Sequence, residues 1–353
     1  MILDSYDNEI YVNPYWGGNT IYHEPITFIK NGNGDVKASL LFEPEEIFSF
    51  RASTLDIEYK KGKDFIVNGK EIILTPDSNI PFIEYNRLFC DEKTFPNRNG
   101  DRYYKYLGGG EIALKQVAVS YKHSEKWDGY VPQYAGDFLP YVCKKLKNKE
   151  KLHITFVGDS ITANGDISSI SKIKPFMPRY PDMTVSALKR ITGADITFDN
   201  FAIGGTVSED FFKNEKVLNN AVNSHPDLLV IAYGMNDGTS VPVNTFKENI
   251  QKIFLKVKEC NPECECIAIS TIIPNTDACW VNHIPVFNFQ DKYENALDEL
   301  EKIGFAVARM TSVYKYLEEK KSFYSLTANG INHPNDFTVR AYAQTLISML
   351  IPD

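Results

Sequence analysis

The sequence predicts an α/β chain in which a doubly wound parallel sheet, covered by helices, follows an all-β sandwich or jelly-roll-like region. Three observations carry this prediction. Short runs rich in Val, Ile, Phe and Tyr, broken by turn residues, fill the first third of the chain. From Leu152 onward, apolar strand-like runs alternate with helix-length amphipathic segments. The glycine-, asparagine- and serine-bearing blocks fall directly after those later strands. At 353 residues the chain is longer than a usual single domain, and two are expected.

In the first region the runs are TIYHEPITFI, VKASLLF, IFSFRAS, TLDIEYK, DFIVNGKEIILTP, IPFIEYNRLFC and IALKQVAVSYK. Many short strands between turns indicate a sandwich or jelly roll. VNGK at 67–70 reads as a hairpin turn, because Asn-Gly accepts positive φ at little cost. After Trp127 the pattern changes, and QYAGDFLPYVCKKLKNK (133–149) reads as a connection that turns helical in its second half. The expected division is 1–128 for the β domain, 129–150 for the connection and 151–353 for the α/β domain.

Strand candidates in the α/β domain are 152–157, 196–201, 228–233, 265–270 and 305–308. Helix candidates are 180–192, 208–223, 244–260, 287–303, 311–320 and 336–350. The helix at 244–260 carries its apolar residues at Phe246, Ile250, Ile253, Phe254 and Val257, with Asn244 as expected N-cap and Glu248 in the first turn.

Composition narrows the function classes. The chain is 43% hydrophobic and 13% aromatic with a formal net charge of −8, and it has no long basic run, which argues against a nucleic-acid or anionic-membrane surface. No stretch approaches the ~20 apolar residues of a membrane span. The N-terminal residues lack the basic start and apolar core of a secretory signal. A cytoplasmic protein is expected, or a secreted one if a leader precedes this sequence. Three of the six cysteines crowd into CNPECEC (260–266), yet no CxxC pair appears, and Cys266 opens an apolar run. Buried or incidental thiols are expected there, with no metal and no disulfide framework.

Ligands of a doubly wound sheet bind at the carboxyl ends of its strands. The first strand delivers Gly158-Asp159-Ser160 in ITFVGDSITANGD. The second delivers Asn200 and then AIGGTVSED, the third YGMNDG, the fourth TIIPNTDACWVNH, and NGINHPNDF precedes the last helix. Serine, glycine, asparagine and histidine thus arrive separately at one edge. An acyl-transfer serine needs a tight, rigid turn whose backbone amide can face a developing oxyanion. A Gly-Gly turn admits a second amide, an asparagine amide can serve as a third donor, and a histidine can carry the proton. Taken singly, Ser160 could be a helix N-cap, Gly204-Gly205 only a turn, and Asn236 a cap. Asp159 and Asp237 read as braces for their loops.

The order Gly158-Asp159-Ser160, Asn200…Gly205, Gly234-x-Asn236-Asp237 and His333-Pro334 resembles the SGNH (GDSL-type) hydrolase family over the last ~200 residues, a span typical of one domain. The resemblance implies a flavodoxin-like domain with Ser160 as nucleophile and His333 as base. It also implies an oxyanion hole of Ser160, Gly205 (Gly204 the second choice) and Asn236, with no cofactor. The β region in front is similar to the architecture of carbohydrate esterase family 2. The family usually carries an aspartate three residues before the histidine, where this chain has Gly330. A backbone carbonyl, Asn329 or Asp336 is then expected to orient His333, or the pair acts as a dyad.

His23, His123, His153 and His225 fall in the β region or at the wrong end of the sheet, which leaves His283 and His333 within reach of Ser160. Trp280 and His283, in ACWVNHIP, are candidate substrate contacts. The expected activity is a serine esterase acting on small acyl esters, acetyl on carbohydrate above all. The expected partner is an acylated small molecule or carbohydrate, with no nucleic acid or membrane. A lipid esterase or thioesterase is the alternative enzyme, and a non-catalytic carbohydrate-binding protein on an esterase scaffold is the alternative from another class. The tyrosine-rich β region reads either as a carbohydrate-binding surface or as a wall of the cleft.

Overall fold

A computed structural model describes residues 5–163 and 165–352. Residues 1–4, 164 and 353, at the outer ends of the two expected domains and within the ITFVGDSITANGD loop, lie outside the described residues.

Five strands, Leu152–Gly158, Ile196–Asn200, Leu228–Ala232, Glu265–Ile269 and Phe305–Ala308, form one parallel sheet. In chain order they lie 2-1-3-4-5, so the direction of winding reverses between the first strand and its two neighbours. A crevice opens at such a switch point, just past the carboxyl ends of the strands. Four of the strands are buried along most of their length, as parallel strands covered on both faces must be, while the edge strand Ile196–Asn200 is buried only at Ile196. One face packs on Tyr180–Thr192 and Asp336–Leu350, the other on Val243–Cys260 and Gln290–Asp298.

The helices refine the sequence reading at three points. The 208–223 segment is two helices, Asp210–Lys213 and Glu215–Asn223, because Asn214 leaves helical geometry and its side chain accepts the Val217 N–H as an N-cap. The helix expected at 244–260 begins at Val243 with Pro242 as N-cap, so Asn244 lies inside it. The helix expected at 287–303 is Gln290–Asp298 followed by a 3-10 turn to Ile303.

The first region is rich in antiparallel strands. Thr20–Thr27, Gln116–Lys122 and Glu46–Ala52 form one three-stranded sheet, with the middle-listed strand at its centre. Lys37–Ser39, Glu71–Leu74 and Phe65–Asn68 form another. The hairpin between the last two turns at Gly69, whose φ is +58°, as Asn-Gly requires. Phe50 of the first sheet stacks on Phe65 of the second, with ring centroids 3.9 Å apart. The run at 54–60 is not a strand: Leu55 has φ +65°, and the segment turns back on Arg51 through an isolated bridge to Glu58.

The two regions share one apolar core, which runs from Tyr11, Ile26 and Val117 through to Phe337 and Leu346. A buried ion pair between Glu24 and Lys321 crosses the junction, and Glu24 also accepts from the Tyr121 hydroxyl (2.6 Å) and the Leu41 amide (2.7 Å). The last helix is tied to the N-terminal segment by Arg340 to the Tyr22 carbonyl (2.7 Å) and Gln344 to the Tyr11 carbonyl (2.9 Å). Among the described residues, no helix is long and apolar enough to cross a membrane.

Candidate active site

The first parallel strand ends at Gly158 because only glycine fits there. A Cβ at that position would sit 2.5 Å from the Ala232 carbonyl oxygen of the neighbouring strand. Asp159 is buried and braces the turn, accepting the Ile161 N–H at 3.0 Å and the Met235 N–H at 3.2 Å. Ser160 then opens a single helical turn, Ser160–Ala163. Its Oγ lies 2.8 Å from Nε2 of His333.

The loop carrying His333 is held from within. Asn329 Oδ1 accepts the backbone N–H groups of Ile331, Asn332 and His333. The Thr327 hydroxyl donates to the His333 carbonyl at 2.9 Å. Gly330 has φ +78°, a backbone that disfavours any side chain, and a Cβ there would meet Leu107 Cδ1 at 3.4 Å. An aspartate at this position would be strained.

The carboxylate comes from elsewhere. Nδ1 of His333 lies 2.6 Å from Oδ2 of Asp166, only six positions beyond Ser160 in the chain. This corrects the expectation for Asp336, whose buried carboxylate instead accepts the Ser168 N–H at 2.9 Å. Asn329 does not reach the imidazole by its side chain either. Its Nδ2 donates to Asp166 Oδ2 at 3.1 Å, so it orients the group that faces the ring. Tyr106 and Gly109 of the first region complete the surroundings of Asp166, through a hydroxyl at 2.8 Å on Oδ2 and an N–H at 3.4 Å on Oδ1.

The other blocks meet the same edge. Asn200 Nδ2 donates to the Thr162 carbonyl (2.8 Å), and the Ile203 N–H donates to the Gly158 carbonyl (3.0 Å). These bonds bring Gly204-Gly205 beside the serine, and a Cβ on Gly204 would lie 3.6 Å from Ser160 Cβ. Asn236 follows the third strand next to Asp159, with one of its amide hydrogens on the Thr206 carbonyl at 2.9 Å. Asp237 accepts from the Ser208 amide at 2.9 Å and from the Ser208 hydroxyl, which fixes the 206–208 segment.

A serine, an imidazole and a carboxylate in hydrogen-bonded series thus stand at the switch point of the sheet. Residues 154–345, more than half of the chain, match the family model for GDSL-like lipases and acylhydrolases. The chain belongs to the GDSL-like lipase/acylhydrolase family. A search of curated proteins gave no match. Among solved structures, the chain is similar to a two-domain esterase, CEX, active on acetylated mannans (20% identity, TM-score 0.46, covering 60% of this chain and 53% of that one). The match therefore spans about half of that esterase's length. It is also similar to Axe2, an acetylxylan esterase from Geobacillus stearothermophilus (16%, TM-score 0.43, 57% and 97%). A third is a lipase/acylhydrolase from Enterococcus faecalis (19%, TM-score 0.40, 56% and 93%).

In this GDSL-like acylhydrolase the three acidic groups near the serine have different electrostatic states. Burial pushes the Asp159 carboxyl up to about 7, against two backbone amides that favour its charge. Burial likewise raises Asp237 to about 6, opposed by Ser208. Burial also acts upward on Asp166, but the hydrogen bond and charge of His333, with the bonds from Tyr106 and Gly109, outweigh it. Its carboxyl is held below the usual carboxylate range. Asp166 is therefore the acid that stays ionised beside an imidazole.

Trp280 is half-buried and donates from Nε1 to the Thr239 hydroxyl at 3.2 Å. Phe95 of the first region lies 5.6 Å from Trp280 and 6.3 Å from Tyr106, centroid to centroid, so three rings form a row beside the site. His283 is at the exposed tip of a turn, with φ +61°, next to Gly100. Cys264 and Cys266 are buried and Cys260 is exposed, all as free thiols. Among the described residues, no group of three or more His, Cys, Asp or Glu is placed to hold a metal ion.

Proposed function

We propose that this protein is a serine esterase that removes small acyl groups, acetyl above all, from carbohydrate esters. The observation that carries the reading is the hydrogen-bonded series Ser160 Oγ, His333, Asp166. In this reading Ser160 Oγ attacks the ester carbonyl while His333 Nε2 takes its proton. The tetrahedral oxyanion is met by the Ser160 and Gly205 amides and by Asn236 Nδ2. The imidazolium returns the proton to the departing alcohol, and the acyl group stays on Ser160. Water, deprotonated by His333, then releases the carboxylic acid and restores the serine. Asp166 keeps the proton on Nδ1 and stabilises the imidazolium without itself being protonated. The hydrolytic unit is the 151–353 domain, joined through 129–150 to the β domain at 1–128.

The carbohydrate part of the reading rests on the row Tyr106, Phe95 and Trp280. The three rings present flat apolar faces, and Tyr106 and Trp280 add a polar handle, which suits the C–H face of a sugar. Trp280 forms one end of this platform, and His283 lies on the turn that carries it.

Hydrolysis of p-nitrophenyl acetate, butyrate and octanoate, with Ser160→Ala alongside, tests this. The reading expects the highest kcat/KM on acetate and loss of turnover in the variant. Turnover unchanged in Ser160→Ala would defeat the mechanism, and an optimum at octanoate would favour a lipid esterase. Release of acetate from acetylated oligosaccharides tests the substrate class directly.

A further inference from the structure

The first region touches the acid of the series, and the contact is more than packing. Asp166 lies in the segment 165–179, which holds no helix or strand. A carboxylate on such a loop is free to turn away from the imidazole unless its oxygens are held. Among the described residues its donors are His333, Asn329, Tyr106 and the Gly109 amide. The last two come from the segment 106–109 of the first region.

That segment is itself anchored on the hydrolase region. The Leu107 amide donates to the Asn329 carbonyl at 2.8 Å, and the Leu107 side chain lies against Gly330. Just upstream, Tyr104 donates to Asp277 at 2.7 Å, Arg98 reaches the Thr276 carbonyl at 2.6 Å, and the Cys279 amide donates to the Pro96 carbonyl at 2.7 Å. The position of the Tyr106 hydroxyl is therefore set by several bonds made across the junction. The side chain remains 46% exposed, so burial alone does not explain why its hydroxyl is directed at Asp166.

We infer that Tyr106 of the first region is a positioning residue for the catalytic centre, fixing the Asp166 carboxylate against His333. On this inference the β region is part of the catalytic apparatus. The inference rests on the esterase reading for its kinetic consequences, but the contact itself does not.

The physical effect of removing the hydroxyl has a definite sign. Without that donor, Asp166 loses one of the bonds that hold its carboxyl below the usual carboxylate range, so its titration moves to higher pH. The carboxylate also loses one of the bonds that fix its plane, and fewer molecules hold the productive geometry.

The test is Tyr106→Phe, which keeps the ring and its place beside Phe95 while deleting the donor. The expected result is a fall of about tenfold in kcat with KM within about twofold. In the Asp166→Asn background the same substitution should cost nothing further, because the two side chains act through one bond. Wild-type kcat, a loss confined to KM, or an equal loss in the Asp166→Asn background each overturns the inference. The Asp166 carboxyl titration, followed by carbon-13 NMR in Tyr106→Phe, needs no substrate. Absence of Ser160-dependent hydrolysis in the wild type would thus defeat the esterase reading and still leave this test decisive: the carboxyl titration must move upward, and an unmoved one overturns the inference.

Discussion

Oδ2 of Asp166 lies 2.6 Å from Nδ1 of His333, although 167 positions separate them in the chain. Asp166 is therefore a neighbour of Ser160 in sequence and of His333 only in space. The Asp166→Asn variant should bind substrate with little change in KM and lose about 10²–10⁴-fold in kcat, because the amide favours the wrong imidazole tautomer. Asp336→Asn should leave kcat within about twofold and act on stability instead, through the Ser168 amide it holds. Steady-state kinetics on acetate esters separates the two. Equal losses in both variants would mean that Asp166 has no special place.

Asn236 offers an amide at the third strand's end, and its bond to the Thr206 carbonyl keeps the side chain oriented. Asn236→Ala should lower kcat by about 10²-fold with KM nearly unchanged, since an oxyanion donor acts mainly in the transition state. A change seen mostly in KM would place Asn236 in ground-state binding instead.

Asp159 makes stability depend on pH. Its carboxyl is near 3.8 in the unfolded chain and about 7 in the fold, raised mainly by burial. A group with a raised folded value contributes stability that is present below pH 3.8 and is lost as pH rises through about 7. The melting temperature should accordingly carry a downward component between these pH values, and Asp159→Asn should lack it. Thermal unfolding of both proteins across the range checks this, and parallel curves would show that Asp159 does not titrate there.

Lys321 and Glu24 are both fully buried and pair across the two regions. Desolvation pulls the lysine's titration down and Glu24 opposes that. Breaking such a pair by removing one partner leaves an uncompensated charge, so Lys321→Met should destabilise the fold by about 3–5 kcal/mol. The Glu24→Gln/Lys321→Met double variant should recover part of that loss. Urea unfolding of the wild type and both variants measures it.

Four of the five parallel strands were legible as the near-continuous apolar runs that strands covered on both faces form, and the edge strand Ile196–Asn200 as a short apolar–polar alternation. Leu152–Gly158 and Leu228–Ala232 are the clearest cases. Ser160, Gly204-Gly205, Asn236 and His333 were legible for a related reason. Each follows a strand or precedes a helix, so the sheet brings them to one edge. Helix boundaries were less so: the apolar period runs through Asn214, while the break there is made by a side-chain cap that periodicity does not record. Asp166 was not legible, although it ends the very block that holds Ser160. The family pattern points instead to Gly330, three residues before His333, whose positive φ suits a turn and would strain the expected aspartate. The replacement depends on tertiary contacts with Tyr106, Gly109 and Asn329, and local pattern carries no trace of them.

In the proposed mechanism Ser160 carries the acyl group between two half-reactions. Acid quenching of the protein during turnover of p-nitrophenyl acetate, followed by peptide mass spectrometry, measures this. One acetyl group is expected on the peptide bearing Ser160, and none in Ser160→Ala. Acetyl found on another residue, or hydrolysis that continues in Ser160→Ala, would contradict it.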